Sequence, residues 1–332
     1  MTKKRNRIKS IIIGVFAGIL GIILLTYCVL MFLIPACEGV DKKTVEGSSD
    51  WMAALPDDLP LSEVVLPGTH DSASFSPQIA FFTKCQNLTI GEQLNAGFRF
   101  LDIRLAVSGE NMKLMHGFAA CKTGMWLFAG SLYFDAVLDQ CARFLDEHPT
   151  ETILFSVKHE HGDESTDVFH GVLEGVISKY SSYLFETDKI PTVGEARGKM
   201  IVLIRYDAPA SCGAACMPFN WNEHDYFYNF DSDPYPADNG FYTLWVQDRY
   251  KLDTDEKWEA FTGALNSGSV GPNDVFINYL STNGPPAYGH PYKYAKDLNR
   301  RFLSFDGQLK GWVIVDFGTP SLAARIYNEN FD

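Results

Sequence analysis

The sequence predicts an irregular (β/α)8 barrel of the TIM type, preceded by an N-terminal transmembrane helix. Three observations lead to this fold class. The chain begins with a long uncharged apolar run, eight apolar stretches of strand length follow it, and most of these stretches end in charged residues. Strands whose apolar residues are continuous rather than alternating are typical of parallel sheets covered on both faces. About 285 residues remain from Ser48 to Asp332, a normal length for one α/β barrel.

The apolar run, residues 10–36, follows a basic segment, residues 1–9, that contains five lysines and arginines. About 20 apolar residues cross a bilayer as a helix, whereas the apolar part of a cleaved signal peptide has about 7–15. We therefore predict a transmembrane signal-anchor with residues 1–9 in the cytoplasm and the rest of the chain outside. The alternatives are a buried core helix, secretion after cleavage near residue 36, and lipidation at Cys37.

The polar residues 37–49 predict a short tether, and residues 50–332 a single catalytic domain, because no linker or repeat divides them. All 41 acidic residues follow the apolar run, but five of the 28 basic ones precede it, so the outer part has a net charge of −18. This charge argues against a nucleic-acid partner. An anionic substrate would need a local basic pocket. Nothing in the sequence indicates a protein partner.

Seven cysteines are too few for a disulfide scaffold, although an outside location permits disulfides. The candidate pairs are Cys85–Cys121 and Cys212–Cys216. Cys212 and Cys216 could instead form half of a metal site, but no second Cys/His pair at a suitable spacing accompanies them.

The apolar stretches predict eight strands. In chain order they are Glu63–Leu66, Phe98–Arg104, Met112–His116, Thr152–Lys158, Lys199–Arg205, Tyr242–Gln247, Val275–Leu280 and Trp312–Phe317. Helical patterns lie at Ser131–His148, Asp163–Tyr180, Thr254–Leu265 and Tyr292–Asp306. The connection from Arg104 to Met112 is too short for a helix, which makes the barrel irregular. Pro67-Gly68 should end the first strand abruptly and leave His70 in the mouth of the barrel.

Seven of the eight predicted strands end in charged or titratable residues, which buried strands otherwise avoid. Catalytic groups of such barrels lie at the carboxyl ends of the strands. Two histidines, His70 and His116, and Arg104 between them are therefore candidates for chemistry. One imidazole can remove a proton from an internal hydroxyl and the other can protonate the leaving oxygen, while the guanidinium offsets charge on phosphorus.

Each histidine has carboxylates nearby, namely Asp71, Asp102 and Asp316, which would fix its tautomer. A single buried His–Asp pair is more often structural than catalytic. Two such pairs at the strand ends of one barrel, with an arginine between them, favour catalysis.

Seven motifs carry a family resemblance: Leu66–Ser72 (LPGTHDS), Phe100–Arg104, Met115–Gly117, Ser156–Glu160, Leu203–Tyr206, Val246–Tyr250 and Val313–Asp316. In this order they resemble the catalytic X domain of phosphatidylinositol-specific phospholipase C, in its compact bacterial form, over about residues 50–320. The first motif is highly specific, whereas Leu203–Tyr206 alone would mean little.

The resemblance implies a role for each catalytic candidate. His70 would deprotonate the inositol 2-hydroxyl and Asp316 would orient it, while Arg104 would bind the phosphate. His116 would protonate the departing diacylglycerol oxygen. Asp71 would assist His116 in that step.

Asp102 would support His116 as well. The residues that match the inositol-binding positions are Lys158, Glu160, Arg205, Asp248 and Tyr250. The products implied are diacylglycerol and a 1,2-cyclic inositol phosphate, formed from an inositol phospholipid in a membrane.

The resemblance also implies catalysis without a metal or other cofactor. The eukaryotic enzymes carry a calcium-binding acidic residue where this chain has Arg104, and a fixed guanidinium repels a divalent cation. Candidates for membrane contact at the rim are Tyr288, Phe81-Phe82 and residues 126–128, each of which could equally be core packing.

Two other functions remain open. One is a catalytically silent domain that binds an inositol lipid or glycan, although such a module needs no pair of proton carriers. The other is a barrel like the metal-dependent glycerophosphodiesterases, which use a His-Arg-Gly opening and clustered carboxylates. The sequence does not distinguish free phosphatidylinositol from the inositol-glycan anchor of surface proteins.

Overall fold

The computed structural model describes residues 2–34, 45–125, 128–186, 189–207, 216–221, 234–267, 271, 274–285 and 289–331. Helix α1 (Thr2–Cys28) continues through a π-helical turn, Val29–Leu33. The segment Lys4–Met31 is long and apolar enough to cross a membrane, and its most apolar 18-residue stretch has a mean hydropathy of 2.6 and is exposed. The predicted transmembrane segment is therefore helical as far as residue 34, although a signal sequence would have the same length and composition. Cys37 and most of the predicted tether lie outside the described residues.

Eleven strands form the sheet of the described chain. In chain order they are β1 (Leu66–Thr69), β2 (Phe100–Ser108), β3 (Asn111–His116), β4 (Ala119–Ala120), β5 (Thr152–His159), β6 (Lys199–Ile204), β7 (Cys216–Pro218), β8 (Tyr235–Asp238), β9 (Thr243–Gln247), β10 (Val275–Tyr279) and β11 (Trp312–Val315). The wall runs β7-β6-β5-β2-β1-β11-β10-β9, and each neighbouring pair in it is parallel. Eight parallel strands among the described residues confirm the predicted irregular (β/α)8 barrel.

Helices cover the outside of this wall. They are α2 (Ala80–Thr83), α3 (Ile90–Asn95), α4 (Phe134–Glu147), α5 (Thr166–Ile177), α6 (Val193–Ala196), α7 (Thr254–Asn266), α8 (Pro291–Leu303) and α9 (Pro320–Tyr327). The four predicted helices correspond to α4, α5, α7 and α8, mostly with shorter ends. Local capping sets two of these ends, since Ser165 accepts a hydrogen bond from the N–H of Val168 and Asp253 forms a capping box with Glu256.

In the described part of the chain no backbone ladder joins β7 to β9, and side chains make the connection instead. Strand β8 pairs antiparallel with β9. The Asn239 side chain accepts from the N–H of Asn220 at 2.7 Å and donates to its carbonyl at 3.2 Å. The Tyr242 hydroxyl donates to the carbonyl of Pro218. These bonds connect β7 to the β8–β9 hairpin and close the barrel.

Strand β3 occupies a different place from the one predicted. The predicted barrel strand Met112–His116 is instead the second arm of a hairpin, antiparallel to β2 with Leu105 opposite Leu114. A parallel crossover needs a dozen residues or more, and this connection is far shorter. The missing barrel strand is β7, which lies where no strand was predicted and is too short to give a sequence pattern.

The first strand also differs, because Pro67 and Gly68 lie inside it rather than at its end. Strand β1 pairs with β11 throughout, and its pairing with β2 begins only at Gly68 opposite Phe100. Pro67 precedes that first pair, so its missing N–H removes no bond from the ladder. A Cβ at Gly68 would lie 2.3 Å from Cδ1 of Ile314 and 3.0 Å from Cβ of Phe100. The barrel interior has room only for glycine at this position.

Aromatic side chains from non-adjacent strands fill the interior. The rings of Phe100, Phe219 and Trp312 lie 5.7–5.9 Å apart, and all three are almost completely buried. Because these residues come from different sides of the wall, they must meet inside the barrel. They form a solid floor, so chemistry is restricted to the mouth.

The candidate disulfide between Cys85 and Cys121 is not formed. Both cysteines are free and buried. The Cys85 sulfur lies 3.8 Å from Nδ1 of His116, whereas Cys121 packs in the core under helix α4. Cys212 lies outside the described residues, so the second candidate pair remains a prediction.

We expect Gly68→Ala to lower the free energy of unfolding by about 1–3 kcal/mol, because the added methyl group would overlap Ile314. Chemical denaturation of the full chain in detergent, followed by tryptophan fluorescence, measures this change. Gly263→Ala is the control, since Gly263 lies exposed in α7 with no atom within 4 Å of its added Cβ. That variant should be unchanged or more stable by up to about 1 kcal/mol. Equal effects of the two changes would contradict the packing argument.

Candidate active site

The predicted site residues converge on one cavity of about 640 Å³ at the carboxyl ends of the parallel strands. Those that line it are His70, Arg104, His116, Lys158, Arg205, Asp248, Tyr250 and Asp316. The other three, Asp71, Asp102 and Glu160, lie behind them, and each carboxylate is within 4 Å of Arg104. The topology thus brings together residues that are up to 246 positions apart in the chain.

His70 follows β1, and its two ring nitrogens have different partners. Nδ1 lies 2.8 Å from Oδ1 of Asp316, and Nε2 lies 2.8 Å from Nη2 of Arg104. A guanidinium can only donate, so Nε2 accepts and the proton is on Nδ1, which donates to the carboxylate. This tautomer leaves a basic nitrogen beside the cavity.

The charge on Asp316 makes His70 a stronger base. Burial lowers the pKa of the imidazole and Arg104 lowers it too, but the carboxylate of Asp316 outweighs both, so that the pKa is raised above its usual value. A histidine with this environment is suited to accept a proton near neutral pH.

His116, at the end of β3, faces His70 across the cavity. Its Nδ1 lies 2.7 Å from the carbonyl oxygen of Thr83 and 3.1 Å from Oδ2 of Asp71. A carbonyl can only accept, so Nδ1 carries a proton and Nε2 is directed elsewhere. The two imidazole rings are 6.4 Å apart and nearly perpendicular. This arrangement can serve two proton transfers on opposite sides of one group.

Burial shifts the pKa values of Asp71 and His116 in opposite directions. Burial and, to a smaller extent, the charge of Arg104 lower the pKa of His116 to about 4. Burial raises the pKa of Asp71 to about 8. In the empty site the carboxyl group therefore holds a proton and the imidazole is neutral. Asp71 also has a left-handed backbone, with φ of 41°, a strained conformation that is common at functional sites.

Asp102 contacts Arg104 directly and also accepts from the N–H of Asp71 at 3.1 Å, and its predicted support of His116 stays a prediction. Its Oδ2 accepts from Nε and Nη2 of Arg104 at 3.1 and 3.0 Å. Burial raises the pKa of Asp102, but Arg104 and Arg205 outweigh burial and lower it to about 2. Asp102 is therefore a permanent anion that fixes the guanidinium.

Glu160 connects two cations and the loop that carries His116. Its Oε1 lies 3.3 Å from Nη1 of Arg104 and accepts from the N–H of Gly117 at 2.9 Å. Its Oε2 lies 2.9 Å from Nζ of Lys158. Burial raises the pKa of Glu160, but these two cations outweigh burial and lower it.

The far side of the cavity is built around Arg205. Its Nη2 lies 3.2 Å from Oδ2 of Asp248, and its guanidinium lies over the ring of Trp221 at 3.7 Å from the centroid. The indole N–H of Trp221 donates to the same Asp248 oxygen at 3.3 Å. Tyr250 completes this side of the lining. Planar groups and paired charges of this kind suit recognition of a polyhydroxylated ring.

Two supporting residues were not predicted. Gln86 donates to the carbonyls of His70 and Val315, and accepts from the N–H of Gly318, so one amide connects the ends of β1 and β11. Trp221 supports Arg205 as described above. Neither gives a sequence signal, because each is a single residue outside the charged strand ends.

The rim of the cavity carries exposed aromatic side chains. Phe82 and Phe118 line the opening and are 41% and 65% exposed. Phe81 stacks on His290 at 4.3 Å instead. Of the other predicted rim residues, Phe128 is exposed, whereas Tyr288 and residues 126–127 lie outside the described residues.

Two overlapping groups of side chains could hold a metal ion in the described part of the chain. One is His70, Cys85 and Asp316, and the other is Asp71, Cys85 and His116. Within each group the donor atoms all lie within 4.8 Å of one another.

Comparison with known proteins agrees with this geometry. The family model for the PI-PLC X domain matches residues 58–266. A 1-phosphatidylinositol phosphodiesterase of Staphylococcus aureus is 30% identical over 307 residues, which cover 85% of this chain and 94% of that protein. The enzyme of the same name from Listeria monocytogenes is 26% identical, and the match covers 85% of this chain and 85% of that protein.

A solved structure is similar over the same region. A double mutant of the phosphatidylinositol-specific phospholipase C from S. aureus superimposes with a TM-score of 0.69 and 25% identity. The match covers 86% of this chain and 97% of that one. The chain therefore belongs to the phosphatidylinositol-specific phospholipase C family defined by the X domain.

Proposed function

We propose that the protein cleaves phosphatidylinositol, free or as part of a glycan anchor, to diacylglycerol and 1,2-cyclic inositol phosphate. The observation that carries the proposal is that two imidazoles and Arg104 line a single cavity. The guanidinium lies 2.8 Å from Nε2 of His70, and the ring of His116 lies 6.4 Å from the ring of His70. The names of the relatives, 1-phosphatidylinositol phosphodiesterases, support the same substrate.

His70 carries out the first proton transfer. Its Nε2 removes the proton of the inositol 2-hydroxyl, and the oxygen attacks phosphorus to form the cyclic ester. Asp316 stabilises the imidazolium that results. Arg104, which donates to Nε2 in the empty site, turns its N–H groups to the phosphate and offsets the charge that develops there.

His116 carries out the second proton transfer. The anionic phosphodiester offsets the charge of Arg104, which raises the pKa of His116 from its value in the empty site. The imidazole then takes up a proton at Nε2, and Asp71 loses its own, so that an imidazolium–carboxylate pair forms. His116 gives this proton to the diacylglycerol oxygen as the phosphorus–oxygen bond breaks. Proton exchange with solvent restores both histidines.

The inositol ring would occupy the side of the cavity opposite the rim. Lys158, Arg205 and Asp248 present charged groups there for hydroxyl groups, and Tyr250 presents a ring that can stack against the sugar. Glu160 holds Lys158 in position rather than contacting the sugar itself.

We further infer that α1 anchors the protein in a membrane, with residues 1–9 in the cytoplasm and the barrel outside. Met31, at the end of this helix, is buried, and its sulfur lies 3.3 Å from the N–H of Ala80 in α2. Helix α2 also supplies Phe82 to the rim of the cavity. The end of the anchor and the exposed rim therefore lie together, so the opening faces the bilayer that holds the anchor.

His70→Ala and His116→Ala should each lower the rate of phosphatidylinositol cleavage by at least about 10²-fold, because each removes one proton transfer. A turnover assay on mixed micelles measures this. His148→Ala is the matched control, since His148 pairs with Asp50 on the surface. Near-normal turnover of either site variant would reject the assignment.

Asp316→Asn should shift the acid limb of the kcat/KM profile to lower pH. His70 acts in its neutral form, so activity falls as the pH drops through its pKa, and the Asp316 carboxylate raises that pKa. Asparagine keeps an oxygen acceptor but removes the charge. The maximal rate should fall as well, by as much as about 10⁴-fold. A pH–rate profile of unchanged position would show that Asp316 does not act through His70.

A chain lacking residues 1–34 should leave the membrane fraction and keep its micellar activity, because the catalytic residues all follow the tether. Fractionation and N-terminal sequencing of the full-length protein test the anchor. An intact N-terminus in the membrane fraction is expected. A mature protein that begins near residue 36 would instead support secretion.

A further inference from the structure

We propose that Cys85, His116 and Asp71 form an inhibitory site for a thiophilic divalent cation such as Zn²⁺. The site shares His116 and Asp71 with the proposed catalytic machinery, although the proposed proton transfers use no cation. That the bound ion inhibits rests on the proposed function, whereas binding itself does not.

The distances between the three donor atoms fit zinc. The Cys85 sulfur lies 3.8 Å from Nδ1 of His116, and that nitrogen lies 3.1 Å from Oδ2 of Asp71. Zinc binds sulfur at about 2.3 Å and nitrogen or oxygen at about 2.0–2.2 Å in tetrahedral geometry. Ligands at those bond lengths are roughly 3.3–3.6 Å apart. The third separation, from the Cys85 sulfur to the Asp71 carboxylate, is within 4.8 Å, so side-chain adjustments would bring all three atoms around one ion.

The carboxylate of Asp71 is an independent indication of a ligand. Asp71 is 1% exposed, and neither of its oxygens has a partner in hydrogen-bond geometry. Its Oδ2 lies 3.1 Å from Nδ1 of His116, but the N–H of that nitrogen donates to the carbonyl oxygen of Thr83 instead. Buried polar atoms without partners are rare in folded proteins. A bound cation would satisfy this carboxylate.

Cys85 has no part in the proposed mechanism, yet its side chain borders the cavity. A thiolate selects zinc and other soft cations over magnesium and calcium. An ion can reach the site through the cavity, because His116 lines it as well. The fourth zinc position would remain for water.

Arg104 opposes any cation here, since its Nε lies 3.8 Å from Oδ2 of Asp71. Only a ligand set with its own negative charge can overcome this repulsion. A thiolate and a carboxylate together neutralise Zn²⁺, whereas a hard cation gains little from the sulfur. The arginine therefore increases the selectivity of the site for thiophilic ions.

The group around His116 is a better zinc site than the group around His70. Nδ1 of His70 donates to the Asp316 carboxylate at 2.8 Å, so zinc would have to break a charge-assisted hydrogen bond there. Nδ1 of His116 donates to the neutral carbonyl of Thr83 at 2.7 Å, which is a weaker bond to break.

When the ion binds Nδ1 of His116, the ring proton moves to Nε2, and the protons of the Cys85 thiol and of the Asp71 carboxyl group pass to solvent. Coordination at Nδ1 removes His116 from its pairing with Asp71, so the leaving oxygen is no longer protonated efficiently.

Titration of the full-length protein in detergent micelles with Co²⁺, a spectroscopic substitute for Zn²⁺, tests binding without any assay of turnover. We expect a thiolate-to-cobalt charge-transfer band that Zn²⁺ removes by competition. Cys85→Ser should lack the band. Cys141→Ser, a change of another buried free cysteine, should keep it.

Inhibition is measured in parallel. Zn²⁺ should inhibit phosphatidylinositol cleavage by the wild type and by Cys141→Ser, and the inhibitory concentration should rise at least about tenfold in Cys85→Ser. Ca²⁺ and Mg²⁺ should have no such effect. The basal activity of Cys85→Ser shows that this variant is folded.

Absence of the cobalt band in the wild type, or equal zinc inhibition of the wild type and Cys85→Ser, would overturn the proposal. If the protein has no phospholipase activity, the cobalt band still reports the site. A failure of the proposed function is thereby distinguished from a failure of the metal site.

Discussion

The guanidinium of Arg104 is the one buried charge on which the whole site depends. It donates to Asp102, to Glu160 and to Nε2 of His70. It also lowers the proton affinity of His116 across the cavity. Because isolated buried charges are unstable, the surrounding carboxylates are needed to hold this cation in place. The result is a rigid positive centre between two imidazoles, suited to an anionic phosphodiester.

The barrel supplies the positions that this centre requires. Strands β1 and β11 are adjacent and parallel, with Thr69 opposite Val315, so the residues that follow them, His70 and Asp316, come within 2.8 Å. Inside the barrel, the Ile314 and Phe100 side chains leave no room for a side chain at Gly68 of β1. The register of the sheet thus fixes the His70–Asp316 pair, whose members are far apart in the chain.

Much of the site could be predicted because charged residues in apolar strands are anomalous, and the carboxyl ends of barrel strands share one mouth. Pairing direction could not be predicted, since an apolar run such as Met112–His116 looks the same in a hairpin and in a barrel wall. Strand β7 is too short to give a pattern. The direct contact of Asp102 with Arg104 could not be predicted, because three carboxylates lie within 4 Å of this guanidinium and only the side-chain geometry decides which of them also reach a histidine.

Time-resolved phosphorus NMR of phosphatidylinositol turnover in EDTA tests the central claim most directly, since it identifies both the product and the need for a metal. The account predicts that 1,2-cyclic inositol phosphate is the first product and that EDTA leaves its rate unchanged. Release of an acyclic inositol phosphate without a cyclic precursor would contradict the attack by the 2-hydroxyl. Loss of turnover in EDTA would indicate a metal-dependent diesterase, and absence of turnover in all conditions a binding domain.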